Sequence, residues 1–469
     1  MSLGKTLIDK LEKLLDKVRL NRGDFIDVRW EQGEGLATTI QNSRPEQITF
    51  QAEEGVGIRA LINGGWGFVS VIGSKEHKIE KGIEMAMKIA AATAKKTKEK
   101  GVIPEEYVFE GSHKMKFRED PRDISIEEKY AVIENFERVT REYSEKIVAT
   151  NATFREWFQT EIVVNSLGTR VSNEYSNINL SCMATSREGD NMQNVYTAKG
   201  TTNGWEEIRK YHTTEKGEEL AKRAVELLKA QKPPSGRMNV VMDQSLVGVF
   251  VHEMIGHFEE ADAVLAHDSL FEGKLGQQIG TKSINLYDDP TISGLRGSYH
   301  FDSEGTPTTK RELIKNGVLV GYLHSLETAA KMNVPPNGAG RAMSFNYRPI
   351  VRMGNTYLGT GDLSFEELLE RIKDGLYLQY SYGGYVDTAK GEFYFSAQGG
   401  YLVRKGELLA PIQNVSLTGH CLEVLQKTIG VGNDLAYAFP GSCGKQSQWV
   451  PIHAGGPSLA VRDLIVGGQ

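Results

Sequence analysis

The sequence predicts an α+β fold in two parts: an N-terminal, sandwich-like α/β domain over residues 1–235 and a β-rich, barrel-like C-terminal domain over residues 236–469. Three observations carry this expectation. At 469 residues the chain exceeds the ~250–300 residues at which a single hydrophobic core stops growing. Its texture changes at Pro233-Pro234-Ser235-Gly236, where long helical patterns give way to glycine-punctuated, strand-like segments. One helix carrying a pair of histidines interrupts that second half.

Leu7, Ile8, Leu11, Leu14, Leu15 and Val18 recur at helical spacing, so the chain opens with an amphipathic helix for which Gly23 is the expected stop. From Asp24 to Ser70, the runs DFIDVRW, QITFQ, GIRALI and WGFVSVI are separated by turn formers and predict hairpins of one sheet. Residues 74–97 and 125–146, rich in Ala, Glu, Lys and Ile, predict helices, and a further helix over 216–231 ends against Pro233 and Pro234. Beyond the boundary, the apolar run MNVVM predicts a strand, and Asp243 caps the helix that follows. Glycine supplies 50 residues, many in pairs such as Gly383-Gly384 and Gly455-Gly456, which is why tight turns are expected throughout this half.

Composition narrows the function classes. With 39% hydrophobic and 25% charged residues of mixed sign, the chain is expected to fold throughout. A net charge of -6 argues against holding nucleic acid by phosphate neutralisation. No apolar run approaches the ~20 residues of a bilayer span, and the N-terminus interleaves charges where a signal peptide needs an unbroken apolar stretch; a cytoplasmic location is expected. Three scattered cysteines, Cys182, Cys421 and Cys443, do not make a disulfide framework.

The segment Val251-His252-Glu253-Met254-Ile255-Gly256-His257 sets two imidazoles around a carboxylate. It is one residue longer than the HExxH of many metallopeptidases. At ~100° per residue, positions i and i+4 lie ~40° apart around a helix but i and i+5 lie ~140° apart, too far to share a metal. The helix must therefore bend or bulge, and Gly256, directly before the second histidine, is the residue that most readily lets it. Catalytic zinc needs three protein ligands and an open position for water. Glu253 points ~100° away from His252, which suits it to be the general base that takes a proton from zinc-bound water. Spacing leaves the third ligand open among Cys182, Cys421, Cys443, His267, His300, His420, His453 and Glu260. The non-catalytic alternative is a metal-binding subunit for peptide binding or assembly, whose structural site would close with a fourth ligand such as His420 or His453.

The string His252-Glu253-Met254-Ile255-Gly256-His257-Phe258-Glu259-Glu260-Ala261-Asp262 resembles the signature of the TldD/PmbA family, named for a peptidase once described as a modulator of DNA gyrase. Gly64-Gly65-Trp66-Gly67-Phe68, Arg348-Pro349, Arg352-Met353-Gly354-Asn355-Thr356-Tyr357 and Ser442-Cys443-Gly444-Lys445 extend the likeness over nearly the whole chain. The resemblance implies one Zn2+ per catalytic subunit, with His252, His257 and Cys443 as metal ligands and Glu253 as the catalytic residue. Gly441, Gly444 and Pro440 predict a turn around Cys443. Glu260 and Asp262 match acidic positions of the motif and either orient a ligand imidazole or form a solvated helix end. Ser447 stands where the family more often has glycine, and Gly455-Gly456-Pro457-Ser458 replaces its usual GQP segment. Implied substrates are unfolded or flexible peptides pairing with a strand edge. Implied assembly is a dimer, often with a sister subunit that lacks the metal motif.

Overall fold

Alternation along residues 25–62 builds two strands, Phe25–Gln41 and Arg44–Ile62, that pair antiparallel over their whole length. These replace the separate short runs expected from the sequence, because glycines that read as punctuation lie inside the strands. Large side chains cross them: a Cβ on Gly33 would stand 2.3 Å from the Trp157 ring, and one on Gly55 2.2 Å from that of Phe345. The turns fall instead at Asn42-Ser43 and Asn63-Gly64, all four in the left-handed region.

The computed structural model describes residues 3–468; 24% of the chain is helix and 43% strand. In its first sheet the strand order is Gly65–Ile72, Arg44–Ile62, Phe25–Gln41, Ile147–Asn165, Arg170–Glu188, with Asn191–Thr201 antiparallel and Glu110–His113 parallel to the last of these. Helices Leu3–Asp16 and Glu76–Ala94 cover one half of one face, packing Leu11, Leu14 and Ile83 on Val28 and Ile58. Helices Ile126–Glu142 and Thr213–Leu227 cover the other half, packing Phe136 and Leu220 on Phe154 and Leu180. The first helix stops at Asp16, well before Gly23, whose φ of 83° serves the turn into the first strand.

The opposite face of this sheet is polar yet buried. Asp27, Arg29 and Glu31 alternate with Ile26, Val28 and Trp30, and they meet the second half of the chain rather than water. Arg59 pairs with Asp27 and, at 2.8 Å, with Glu304; Arg29 donates at 2.8 Å to the carbonyls of Ser344 and Tyr347.

In the second half, Gly375–Asp387, Gly236–Met242, Leu459–Gly468, Val415–His420 and Glu392–Arg404 pair in that order, and the last pairs again with the first, closing a five-stranded barrel. The barrel-like, strand-dominated expectation is met. Helix Gln244–Met254 leaves the second of these strands directly, capped as expected by Asp243, which accepts from the Leu246 N–H at 2.8 Å. Phe250 packs the helix on Phe393 and Phe395 of the barrel. Its other side lies on a second sheet, where a Cβ on Gly248 would stand 3.0 Å from the backbone of Ala454 and Gly455 in strand Gln448–Gly456. The histidine helix is thus gripped between barrel and sheet.

Candidate metal centre

His252 occupies the last turn of helix Gln244–Met254. Ile255 then leaves helical geometry (φ -123°, ψ -54°), and Gly256–Glu259 continue as one 3-10 turn. The bend demanded by the i, i+5 spacing is therefore an unwinding at the helix end, without a π-type insertion. Gly256 is needed there, since a Cβ would stand 2.0 Å from Met353 Sδ. The break brings the two imidazoles together, with ring centroids 5.2 Å apart and planes at 73°.

Cys443 reaches them from strand Ala436–Lys445 rather than from the turn expected around it. The turn comes afterwards, at Gln446-Ser447, with φ values of 49° and 60°. It joins paired residues Lys445 and Gln448 in a two-residue hairpin loop, a position at which glycine costs least. One donor atom each from His252, His257 and Cys443 lies within 4.8 Å of the others, and Cys443 Sγ is 3.4 Å from His257 Nε2. Ligands 2.0–2.3 Å from a tetrahedral zinc stand ~3.3–3.7 Å apart, so small side-chain movements complete the geometry.

The donor set fits such an ion. His252 is 2% exposed, and neither of its ring nitrogens has a hydrogen-bond partner among the described residues. A buried imidazole left unsatisfied in this way needs explaining, and a cation between two imidazoles and a thiolate satisfies it. His257 Nδ1 is 2.9 Å from Glu260 Oε2, which turns Nε2 toward Cys443 and fixes the ring. Lys445 in turn donates to Glu260 at 3.0 Å, to Asp262 at 2.7 Å and to the Val351 carbonyl at 3.1 Å. Of the two alternatives for these acidic residues, the solvated helix end is not what the chain adopts.

Electrostatics favour positive charge at this point. Burial alone would raise the pKa of Glu260, yet Lys445 and His257 hold it at about 2. Burial likewise opposes charge on Cys443, but the facing imidazoles, His257 first, keep its thiol well below the ordinary cysteine value. His257, against its own burial, is held well above the histidine value by Cys443 and Glu260. The same field that attracts a proton to this ring attracts a metal cation. Glu253 is the water-accessible member: its side chain is 26% exposed, and Oε2 lies 3.8 Å from His257 Nε2.

Other candidate ligands lie elsewhere. Cys182, in the first sheet, contacts Thr140 of the covering helix Ile126–Glu142 at 3.8 Å, and Cys421 donates to the Met254 carbonyl at 2.8 Å, closing the helix end. His453 has both nitrogens engaged, by the Arg296 N–H and the Tyr437 carbonyl, each at 3.1 Å. His267 pairs with Glu272, His300 stacks on His113, and His420 precedes helix Cys421–Lys427 beside Gly391. Two contributors had no role assigned from the sequence. Lys445 was detectable through its spacing, since it follows Cys443 by two residues on one strand and so shares its face. Arg352, fully buried, donates to the carbonyls of Cys443 at 2.5 Å and Gln448 at 3.2 Å and so clamps the hairpin; no local sequence signal marks that contact.

An HExxxH segment broken at its glycine, and gripped between a barrel and a sheet that delivers a cysteine, has the make-up of a metallopeptidase. The chain belongs to the TldD/PmbA family: the PmbA/TldA metallopeptidase domain 1, central domain and C-terminal domain match residues 26–90, 119–231 and 235–468. A metalloprotease of Methanocaldococcus jannaschii is 38% identical over 96% of this chain and 97% of its own length. A zinc metalloprotease TldD homolog of Saccharolobus solfataricus is 28% identical over 97% of this chain and 99% of its own. The crystal structure of a Thermotoga maritima protein described as a modulator of a DNA gyrase matches with a TM-score of 0.79 at 25% identity, covering 99% of this chain and 100% of that one. TldE from Thermococcus kodakarensis, at 16% identity and a TM-score of 0.74 over 99% of each chain, shares the fold.

Proposed function

We propose that this chain is a zinc-dependent peptidase acting on unfolded or flexible peptides, with His252, His257 and Cys443 as the metal ligands and Glu253 as general base. The observation that carries this reading is the unsatisfied, buried His252 facing a second imidazole and a thiol that is held low. Zinc bound there supplies a Lewis acid that acidifies water and polarises a carbonyl. Glu253, beside the ligands and open to solvent, accepts the proton of the attacking water and passes it to the leaving amine. Glu260, held by Lys445, keeps His257 in the tautomer whose Nε2 faces the site.

Three convergent ligands among the described residues, rather than four, favour a catalytic over a closed structural site. The relatives named as metalloproteases support the same choice. The proposal extends to assembly: a dimer in which this chain, keeping the metal motif, is the catalytic member, alone or beside a sister subunit without it. Among the described residues no helix is long and apolar enough to cross a membrane.

The test is cleavage of a mixed pool of unstructured peptides by zinc-loaded protein. Products should appear with the unaltered chain and fall by ~10²–10⁴-fold in Glu253→Gln, the range for removing a general base, while zinc content stays the same. Absence of cleavage by both forms, with zinc bound, would overturn the reading.

A further inference from the structure

A cavity of about 230 Å³ lies between the polar face of the first sheet and the second half of the chain. Ser442 and Pro451, paired across the cysteine hairpin, line it; Cys443, next along the strand, points to the other face. His252, Glu253, His257 and Cys443 do not line it, although Val450, the cross-strand partner of Cys443, does, so the cavity is distinct from the metal centre and backs onto the same hairpin.

Two guanidinium groups line it, and neither has a carboxylate partner among the described residues. Arg296 donates from Nε to Asn177 Oδ1 at 2.9 Å and from Nη1 to the Gly441 carbonyl, leaving Nη2 without a partner among those residues. Arg341, 9% exposed, donates only to carbonyls, of Met353 at 2.6 Å and Pro451 at 2.9 Å, and lies over the Tyr299 ring at 4.6 Å. Burial, with the charges of Arg155 and Arg341 and against the pull of Tyr196, lowers Arg296 to about 10. Arg341, buried with carbonyls as its partners, and the half-buried Arg296 beside it leave positive charge in the wall without an anion, which is costly in proportion to burial.

The acidic residues in the wall do not supply it. Asp302 is engaged by the backbone N–H groups of Glu304, Thr306 and Gly340 at 2.8–2.9 Å. Glu161 is raised by burial first and then by Glu31, and the cation it faces is Arg29, 3.6 Å away, rather than either cavity arginine. Asn173 in the wall is 2% exposed, and its Oδ1, closed off from the cavity, has no hydrogen-bond partner among the described residues. Trp157, Tyr175 and Trp449 add aromatic surface.

Cations without an anion and aromatic walls describe one ligand chemistry. We propose that the cavity binds the C-terminal residue of a peptide, with its α-carboxylate on Arg296 and Arg341 and its side chain against the aromatic wall. The volume, below the ~300 Å³ at which pockets for drug-sized molecules begin, suits one residue rather than a long segment. The inference rests on the peptidase reading only for the supply of such peptides.

Because Trp157 and Trp449 line the cavity, tryptophan fluorescence reports its occupancy. Full-length protein, unaltered and as Glu253→Gln, is titrated with N-acetyl-leucine, N-acetyl-leucinamide and inorganic phosphate. The acid should give a saturable change in both forms, at least tenfold weaker for the amide, for phosphate and in Arg296→Gln, with Arg296→Lys between. If Arg296→Gln melts early, the comparison of acid with amide on the unaltered chain decides. No response to the acid, or equal binding of amide or phosphate, would overturn the proposal. Since binding is read in the Glu253→Gln form, failure of peptide cleavage would leave this result standing.

Discussion

Glu260 is the residue through which the metal site is held to the rest of the molecule, because it receives both His257 and Lys445. Partners of this kind, when removed, typically weaken metal binding 10–100-fold. Glu260→Gln and Lys445→Met should each do so in zinc competition against a chelator, with Glu253→Gln unchanged in the same assay; equal zinc affinity in all forms would contradict the role given to Glu260. At this scale the sequence was partly legible. His252, Glu253 and His257 stand together and announce their chemistry. Cys443 could be assigned only by family resemblance, since nothing in the chain's spacing ties it to a histidine 186 positions earlier. Its strand setting was hidden by the flanking Gly441, Gly444 and Pro440, which read as a turn.

At the scale of elements, the break between helix Gln244–Met254 and the 3-10 turn Gly256–Glu259 sets the distance between the imidazoles. The space for that break is shaped by Met353, whose Sδ would lie 2.0 Å from any Cβ at position 256. Gly256→Ala should therefore destabilise the protein by ~1–3 kcal/mol through overpacking and weaken zinc binding. Met353→Ala added to it should recover part of both losses; a double variant worse than the sum of its parts would contradict this account. The need for a bend was legible because helical periodicity is strict. The long strands were not, because Gly33 and Gly55 resemble turn residues until Trp157 and Phe345, distant in sequence, are seen lying across them.

In the whole molecule, the two halves meet across a polar layer flanked by an apolar patch in which Leu326 joins Phe25, Leu61 and Ile103. Glu161 in that layer is pushed from the ordinary 4.5 to about 8, mainly by burial, with Glu31 adding and Arg29 opposing. A carboxyl whose pKa is raised on folding binds its proton more tightly in the folded state. Its contribution is thus fully present below pH 4.5 and is lost as pH climbs through about 8. Glu161→Gln should match the unaltered chain in melting temperature near pH 5 and exceed it at pH 9; parallel curves would contradict this. The barrel-like character of the second half was legible from its glycine-punctuated apolar runs, whereas the strands over 147–201 that complete the seven-stranded sheet of the first half were not read. The interface was not, because Asp27, Arg29 and Glu31, alternating with apolar residues, carry the pattern of a sheet face turned to water.

The central claim, that two histidines and a cysteine hold a catalytic metal, is tested most directly by the visible spectrum of the cobalt-substituted protein. Tetrahedral d–d bands with thiolate-to-metal charge transfer are expected, the latter disappearing in Cys443→Ser while the Glu253→Gln spectrum keeps it. A six-coordinate spectrum, or charge transfer that survives in Cys443→Ser, would contradict it.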